Sequence, residues 1–100
     1  MMSLRKMAEI NAAHGLHWFD CDTLRFFKTR FCGRVFYGNK GDGVTFHFVT
    51  SERSPWGRRM YTVRTFNATT GETETAEGFT FQGFSDRRTA LAACAKLAAS

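Results

Sequence analysis

Apolar positions along the chain recur first every three residues, then every second residue, then at helical spacing again. Leu4, Met7 and Ile10 fall three apart behind Ser3, whose hydroxyl suits a helix start, and Gly15 follows as a residue that tolerates the left-handed backbone beyond a helix end. This spacing predicts a short helix over residues 3–14. Asp20 and Asp22 then precede Thr23-Leu24-Arg25-Phe26-Phe27-Lys28. Acidic residues at the start and basic ones at the end suit the dipole of one or two helical turns.

From residue 30 to 84, β-branched and aromatic residues alternate with polar ones between glycine-rich turns, which is the pattern of half-buried strands. Four strands are predicted, over residues 31–37, 44–50, 60–66 and 72–81, the last interrupted near Gly78. In the second, Val44, Phe46, Phe48 and Thr50 share one face and Thr45, His47 and Val49 the other. The connections are a glycine-rich hairpin at 38–43, a longer loop at 51–58 holding the only proline, Pro55, and a turn at 67–71. Ser85 is placed as the N-cap of a final helix over residues 86–99, with Ala90, Leu91, Cys94, Leu97 and Ala98 on one stripe. The short connections favour antiparallel neighbours, since a parallel crossover needs roughly a dozen residues. The predicted class is therefore α+β: a four-stranded antiparallel meander with N-terminal helical segments and a C-terminal helix packed on one sheet face.

A length of 100 residues leaves no room for a second domain, so residues 1–15 are expected as an N-terminal helical appendage and 16–100 as a single α+β domain. Of the 11 phenylalanines, Phe31, Phe36, Phe46, Phe48, Phe66, Phe79 and Phe81 are expected in the core. Each buried ring contributes about 2–3 kcal/mol. Hydrophobic residues at 43% and charged residues at 23% match globular usage and exclude a disordered or fibrous chain. No apolar run reaches the roughly 18 residues of a membrane span, and residues 1–13 lack the apolar stretch of a secretory signal. The expectation is a cytoplasmic protein with no membrane partner. Cys21, Cys32 and Cys94 are odd in number, far apart and without a C-x-x-C pair, so they are expected as buried, reduced thiols.

Charge adds a direction. The formal net charge is +5, yet between Arg25 and Arg64 nine basic residues face only Asp42 and Glu52, a local balance of +7. An electropositive face of this kind favours an acidic partner, phosphate or protein. Within it, Trp56 sits beside Pro55 and Gly57 with Arg53, Arg58 and Arg59 around it, the composition of a contact surface that anchors a protein or stacks a base. Arg53, Trp56, Arg58 and Arg59 are the expected partner-binding set. Arg30, Arg34, Arg64, Arg87 and Arg88 are expected to meet nucleic acid if the partner is one.

Other constellations carry less. His14, His17, Asp20 and Cys21 form H-x-x-H-x-x-D-C, but a zinc site needs a second ligand pair at a defined distance, so a solvated helix end is expected and no metal. Residues 38–43 (GNKGDG) resemble a phosphate loop only superficially, because strand rather than helix follows. Glu72, Glu74 and Glu77 read as a solvated strand end. With no G-x-S-x-G, H-E-x-x-H, dinucleotide or P-loop motif, neither catalysis nor a cofactor is expected. The ending GFSDRRTALAACAKLAAS is similar to the last helix of double-stranded RNA-binding domains, whose basic start meets phosphate, with Arg87 and Arg88 in that first turn. The likeness is confined to this helix and a coarse α-β-β-β-α order, from which the extra strand departs.

Four further segments carry a longer likeness: LRFFKTR at 24–30, FHFVTSE at 46–52, RMYTVRTFNATTGETET at 59–75 and FQGFSDRRTALAACAKLAA at 81–99. On these, over residues 19–99, the chain resembles a family of small uncharacterised phage and prophage proteins; residues 1–15 lie outside the likeness. The resemblance implies an accessory gene of a bacterial virus or mobile element and assigns no residue a role. The function expected is stoichiometric binding to a host protein or ribonucleoprotein complex, of the anti-CRISPR kind that blocks a defence system. The alternative is sequence-nonspecific binding of DNA or RNA by the basic face.

Overall fold

The first helix closes where its sequence predicts. In the computed structural model, which describes residues 2–37 and 42–99, α1 spans Leu4–Ala13. Ser3 Oγ accepts a hydrogen bond from the Lys6 amide at 3.1 Å. Gly15, at φ 73°, turns the chain so that its own amide and that of Leu16 donate back to Ala12 and Asn11. Helix α2 is Cys21–Phe26, and α3 is Arg87–Ala99. The cap of α3 is Asp86 rather than Ser85: its carboxylate accepts from the Thr89 amide at 2.9 Å and the Thr89 hydroxyl at 2.8 Å.

The strands β1 (Arg30–Tyr37), β2 (Thr45–Arg53), β3 (Arg59–Asn67) and β4 (Thr73–Thr75) form one antiparallel sheet in the order β1-β2-β3-β4. Residues 38–41 of the glycine-rich connection, and with them its reading as a hairpin turn, lie outside the described residues. The α+β meander is as expected, but three of its parts differ. First, the loop at 51–58 is shorter, because Ser51, Glu52 and Arg53 pair with Tyr61, Met60 and Arg59. Their polar side chains disguise a strand. Second, β4 stops at Thr75. The chain loops away from β3 with Gly78 at φ 85° and rejoins it at Phe84, which exchanges two backbone hydrogen bonds with Tyr61.

Third, α1 is packed onto the sheet rather than appended to it. Met7 joins Val35, Phe46, Phe48 and Phe66 in a core on one face, with Trp18, Phe19 and Phe31 packed against it. Asn11 is buried beside them and ties three segments together: its Nδ2 donates to Gly71 O at 2.7 Å, and its Oδ1 accepts from the Trp18 amide at 3.1 Å. The other face holds Cys32, Val49 and Val63 under Ala90 and Cys94 of α3, with Leu91 and Leu97 at the margin. Both faces of β2 are thus buried, although its alternation suggests one buried and one wet. Cys21 is exposed, unlike Cys32 and Cys94, and burial pushes the Cys94 thiol up to about 12. Among the described residues no helix is long and apolar enough to cross a membrane.

His47 on β2 is buried, with its Nδ1 3.1 Å from Thr65 Oγ1. Burial holds its imidazole below the ordinary 6.5, against an opposing pull from Asp42. The unfolded chain therefore takes up this proton first as pH falls, so stability present above 6.5 declines as pH drops towards the folded-state value. Urea unfolding at pH 7.5 and 5.5 should show a lower midpoint at the acid value, and His47→Gln should reduce that difference.

Candidate binding groove

Helix α2 buries none of its residues. It ends in the same hydrogen-bond pattern as α1, with the Lys28 amide donating to Arg25 O and the Thr29 amide to Leu24 O, but here the left-handed position is a lysine at φ 52°. The turn leaves Phe26 and Phe27 in solvent, 80% and 54% exposed, with their rings edge to face at 4.9 Å. Opposite them, the loop that replaces the rest of β4 carries Phe81, 51% exposed, beside Gln82 at φ 54°. Left-handed backbone at a non-glycine residue is uncommon and clusters at binding and active sites. Lys28 and Gln82 are the two such residues described, and both line one groove.

That groove has two connected parts that share Phe27, Glu52 and Phe81. The outer one, about 540 Å³, is bounded by Phe26, Lys28, Arg53, Ser54, Pro55 and Gln82. The inner one, about 210 Å³, is enclosed by Trp18, Thr23, Leu24, Thr29 and Arg64. Its floor is an ion pair: Arg64 Nη2 lies 3.2 Å from Glu52 Oε2, with the two side chains 9% and 4% exposed. Arg64 Nε also donates to Thr50 Oγ1 at 3.0 Å, and Nη1 to Thr75 Oγ1 at 3.3 Å. The guanidinium carbon sits 5.4 Å from the ring centres of both Trp18 and Phe81, within cation–π range. Burial lowers the Arg64 pKa, and Glu52 opposes that shift. A short relay joins the rim to the floor: the Gln82 amide donates to Thr62 Oγ1, which donates to Glu52 Oε1. In the outer wall, the buried Ser54 hydroxyl has no hydrogen-bond partner.

The residues expected at the contact surface divide. Trp56 is 76% exposed at the tip of the β2–β3 hairpin, where the Gly57 amide donates to Ser54 O. Arg58 is exposed beside it. Arg53 lines the outer groove and donates to Gly57 O at 2.9 Å. Arg59 is engaged in the fold, donating to Ser51 O, Ser51 Oγ and Lys28 O, and so holds the α2–β1 turn against the hairpin. Burial, then the neighbouring Arg30 and Arg53, lower its pKa, which marks a cationic cluster of three at this end of the sheet. Arg64 is the buried partner of Glu52 and not part of an open basic face. Arg30, Arg34, Arg87 and Arg88 are exposed, the last two beside a shallow depression with Asp86 and Leu91.

Phe81, expected in the core, is at the groove mouth, because the loop at 76–83 turns Phe79 inward and Phe81 outward. Phe26, Phe27, Trp18 and the Glu52–Arg64 pair were not singled out by sequence. A Phe-Phe doublet in a short, charged helix was the available signal for the first two. His17 Nδ1 lies 2.8 Å from Asp20 Oδ2, while His14 faces its own helix through Ile10 O. Among the described residues no three His, Cys, Asp or Glu side chains converge on a point that could hold a metal. The groove offers flat aromatic surfaces, cations at its rim and a paired donor and acceptor on its floor, the equipment of recognition.

The chain belongs to a family of unknown function, DUF7447, which it matches over residues 3–95. The match takes in α1, which the likeness seen in the sequence leaves out. Neither comparison with curated proteins nor comparison with solved structures found a match.

Proposed function

We propose that the protein is a non-enzymatic binding module that acts stoichiometrically on a macromolecule of a bacterial host, and that the groove between α2, the β2–β3 hairpin and the Phe81 loop is its contact surface. The observation that carries this reading is the convergence of Phe26, Phe27 and Phe81 on one groove, three of the four strongly exposed large apolar side chains described. Solvent-facing aromatic rings gathered with arginine are the groups that dominate binding energy at interfaces. Rim cations Lys28 and Arg53 and the +7 balance of the central segment favour an acidic partner. The accessory-gene context implied by resemblance to phage and prophage proteins suits such a role, inhibition of a defence complex included.

The test is a paired substitution. Phe26→Ala with Phe81→Ala removes exposed rings, so the melting temperature should move by a few degrees at most. Retention of host macromolecules on the immobilised protein should fall by about 2 kcal/mol or more in binding free energy, roughly thirtyfold. Unchanged retention by a folded double variant would move the contact surface elsewhere, with the exposed Arg87 and Arg88 next to be tested.

A further inference from the structure

We infer that the partner class for this groove is single-stranded nucleic acid, and that the inner cavity takes one unstacked base. The inference rests on the binding reading above and adds the partner's chemistry. At about 210 Å³ the cavity lies below the roughly 300–1,000 Å³ of drug-sized sites and suits one planar ring. Phe27 and Phe81 flank its mouth as flat surfaces on which a base can stack, and stacking of this kind tolerates any sequence because every base has a π-face.

The floor is matched to a base edge. A guanidinium has five N–H donors, and Arg64 uses three, on Thr50, Thr75 and Glu52. Each Glu52 oxygen accepts one hydrogen bond, from Thr62 or Arg64, and can accept another. Unused donor and acceptor capacity thus belongs to two adjacent residues lining an aromatic slot, and the pairing edge of a nucleobase presents the complementary acceptor and donor. The buried, unpartnered Ser54 hydroxyl adds an unused polar group in the adjoining outer wall. Outside the slot, Lys28 and Arg53 line the path a strand would take, and among the described residues Glu52, already paired, is the only carboxylate lining either part. That charge arrangement fits a phosphate backbone.

Trp18 provides the readout. With Trp56→Phe, Trp18 is the only tryptophan in the chain, and it lines the cavity. Titrating this variant with a dodecamer of deoxythymidine at low salt should change its fluorescence saturably. A dodecamer of abasic sugar-phosphate carries the same charge and should bind at least tenfold more weakly. Phe27→Ala or Phe81→Ala should weaken the base-bearing strand at least tenfold, and Phe81→Tyr should restore it. Lys28→Gln should flatten the salt dependence by about 0.7 in log K per log salt, the value for one phosphate on a single strand. Equal affinity for the abasic strand would reduce the attraction to charge alone and overturn the inference. So would no binding of any strand. If in that case Phe26→Ala with Phe81→Ala still abolishes retention of a host protein, the binding reading stands with a protein partner. If it does not, both readings fall.

Discussion

Glu52→Ala is expected to lower stability by about 3–5 kcal/mol, the largest effect of any single polar substitution in the sheet. The change leaves the Arg64 guanidinium buried without its carboxylate, and arginine cannot shed its proton to escape. Thr50 and Thr75 accept from it but carry no charge. A loss of this size is a large share of the roughly 5–15 kcal/mol that holds a domain together. Urea unfolding should show it, and the paired variant Glu52→Leu with Arg64→Met should recover most of the loss, because two apolar side chains of similar volume need no desolvation of charge. A single substitution that shifted stability by less than about 1 kcal/mol would mean that the pair is already wet. A recovered double variant would also show that the pair is not required by the fold, as expected of groups retained for recognition.

Gly33→Val should destabilise by about 2–5 kcal/mol, through two separate terms. Gly33 lies in β1 at φ 69°, where a side chain costs about 1–2 kcal/mol through its clash with the backbone. A Cβ there would also stand 2.3 Å from Leu91 Cδ2 of α3, and displacing that packed side chain adds about 1–3 kcal/mol. The strand makes room for the helix here: between the pairs Cys32 with Val49 and Phe36 with His47, three residues of β1 oppose only Phe48 of β2. Gly43→Val meets open space at a similar φ of 72° and should show the first term alone. If the two variants melt alike, α3 does not rest on this bulge.

The elements that could be read from the chain are those in which local pattern and tertiary role agree. Ser3 and Gly15 bound α1, the alternation from Phe46 to Phe48 marks β2, and the Ala90, Cys94 and Ala98 stripe of α3 meets the sheet. The misses share a cause, which is that burial or exposure at one position was decided by a distant part of the chain. Glu52 reads as loop because its burial depends on Arg64, twelve residues away. Asn11 reads as part of an exposed helix because its acceptor is Gly71. Phe81 reads as core because nothing local shows that β4 ends at Thr75 and leaves the ring facing α2. The groove was therefore only half visible: Arg53 announced itself by composition, whereas its floor and far wall exist only once the sheet has closed.

The two helices that cover the sheet come from opposite ends of the chain, α1 beneath Phe46, Phe48 and Phe66, and α3 above Val49 and Val63. During synthesis the first of these emerges before the strands it must cover, and the second after them. The meander itself joins neighbours in sequence and so closes only short loops, which favours rapid pairing. Until α3 is free, however, one apolar face of the paired strands stays uncovered and open to association with other nascent chains. Emergence of α3 is thus the committing event of folding, and a polypeptide truncated within α3 should be recovered mainly in the insoluble fraction.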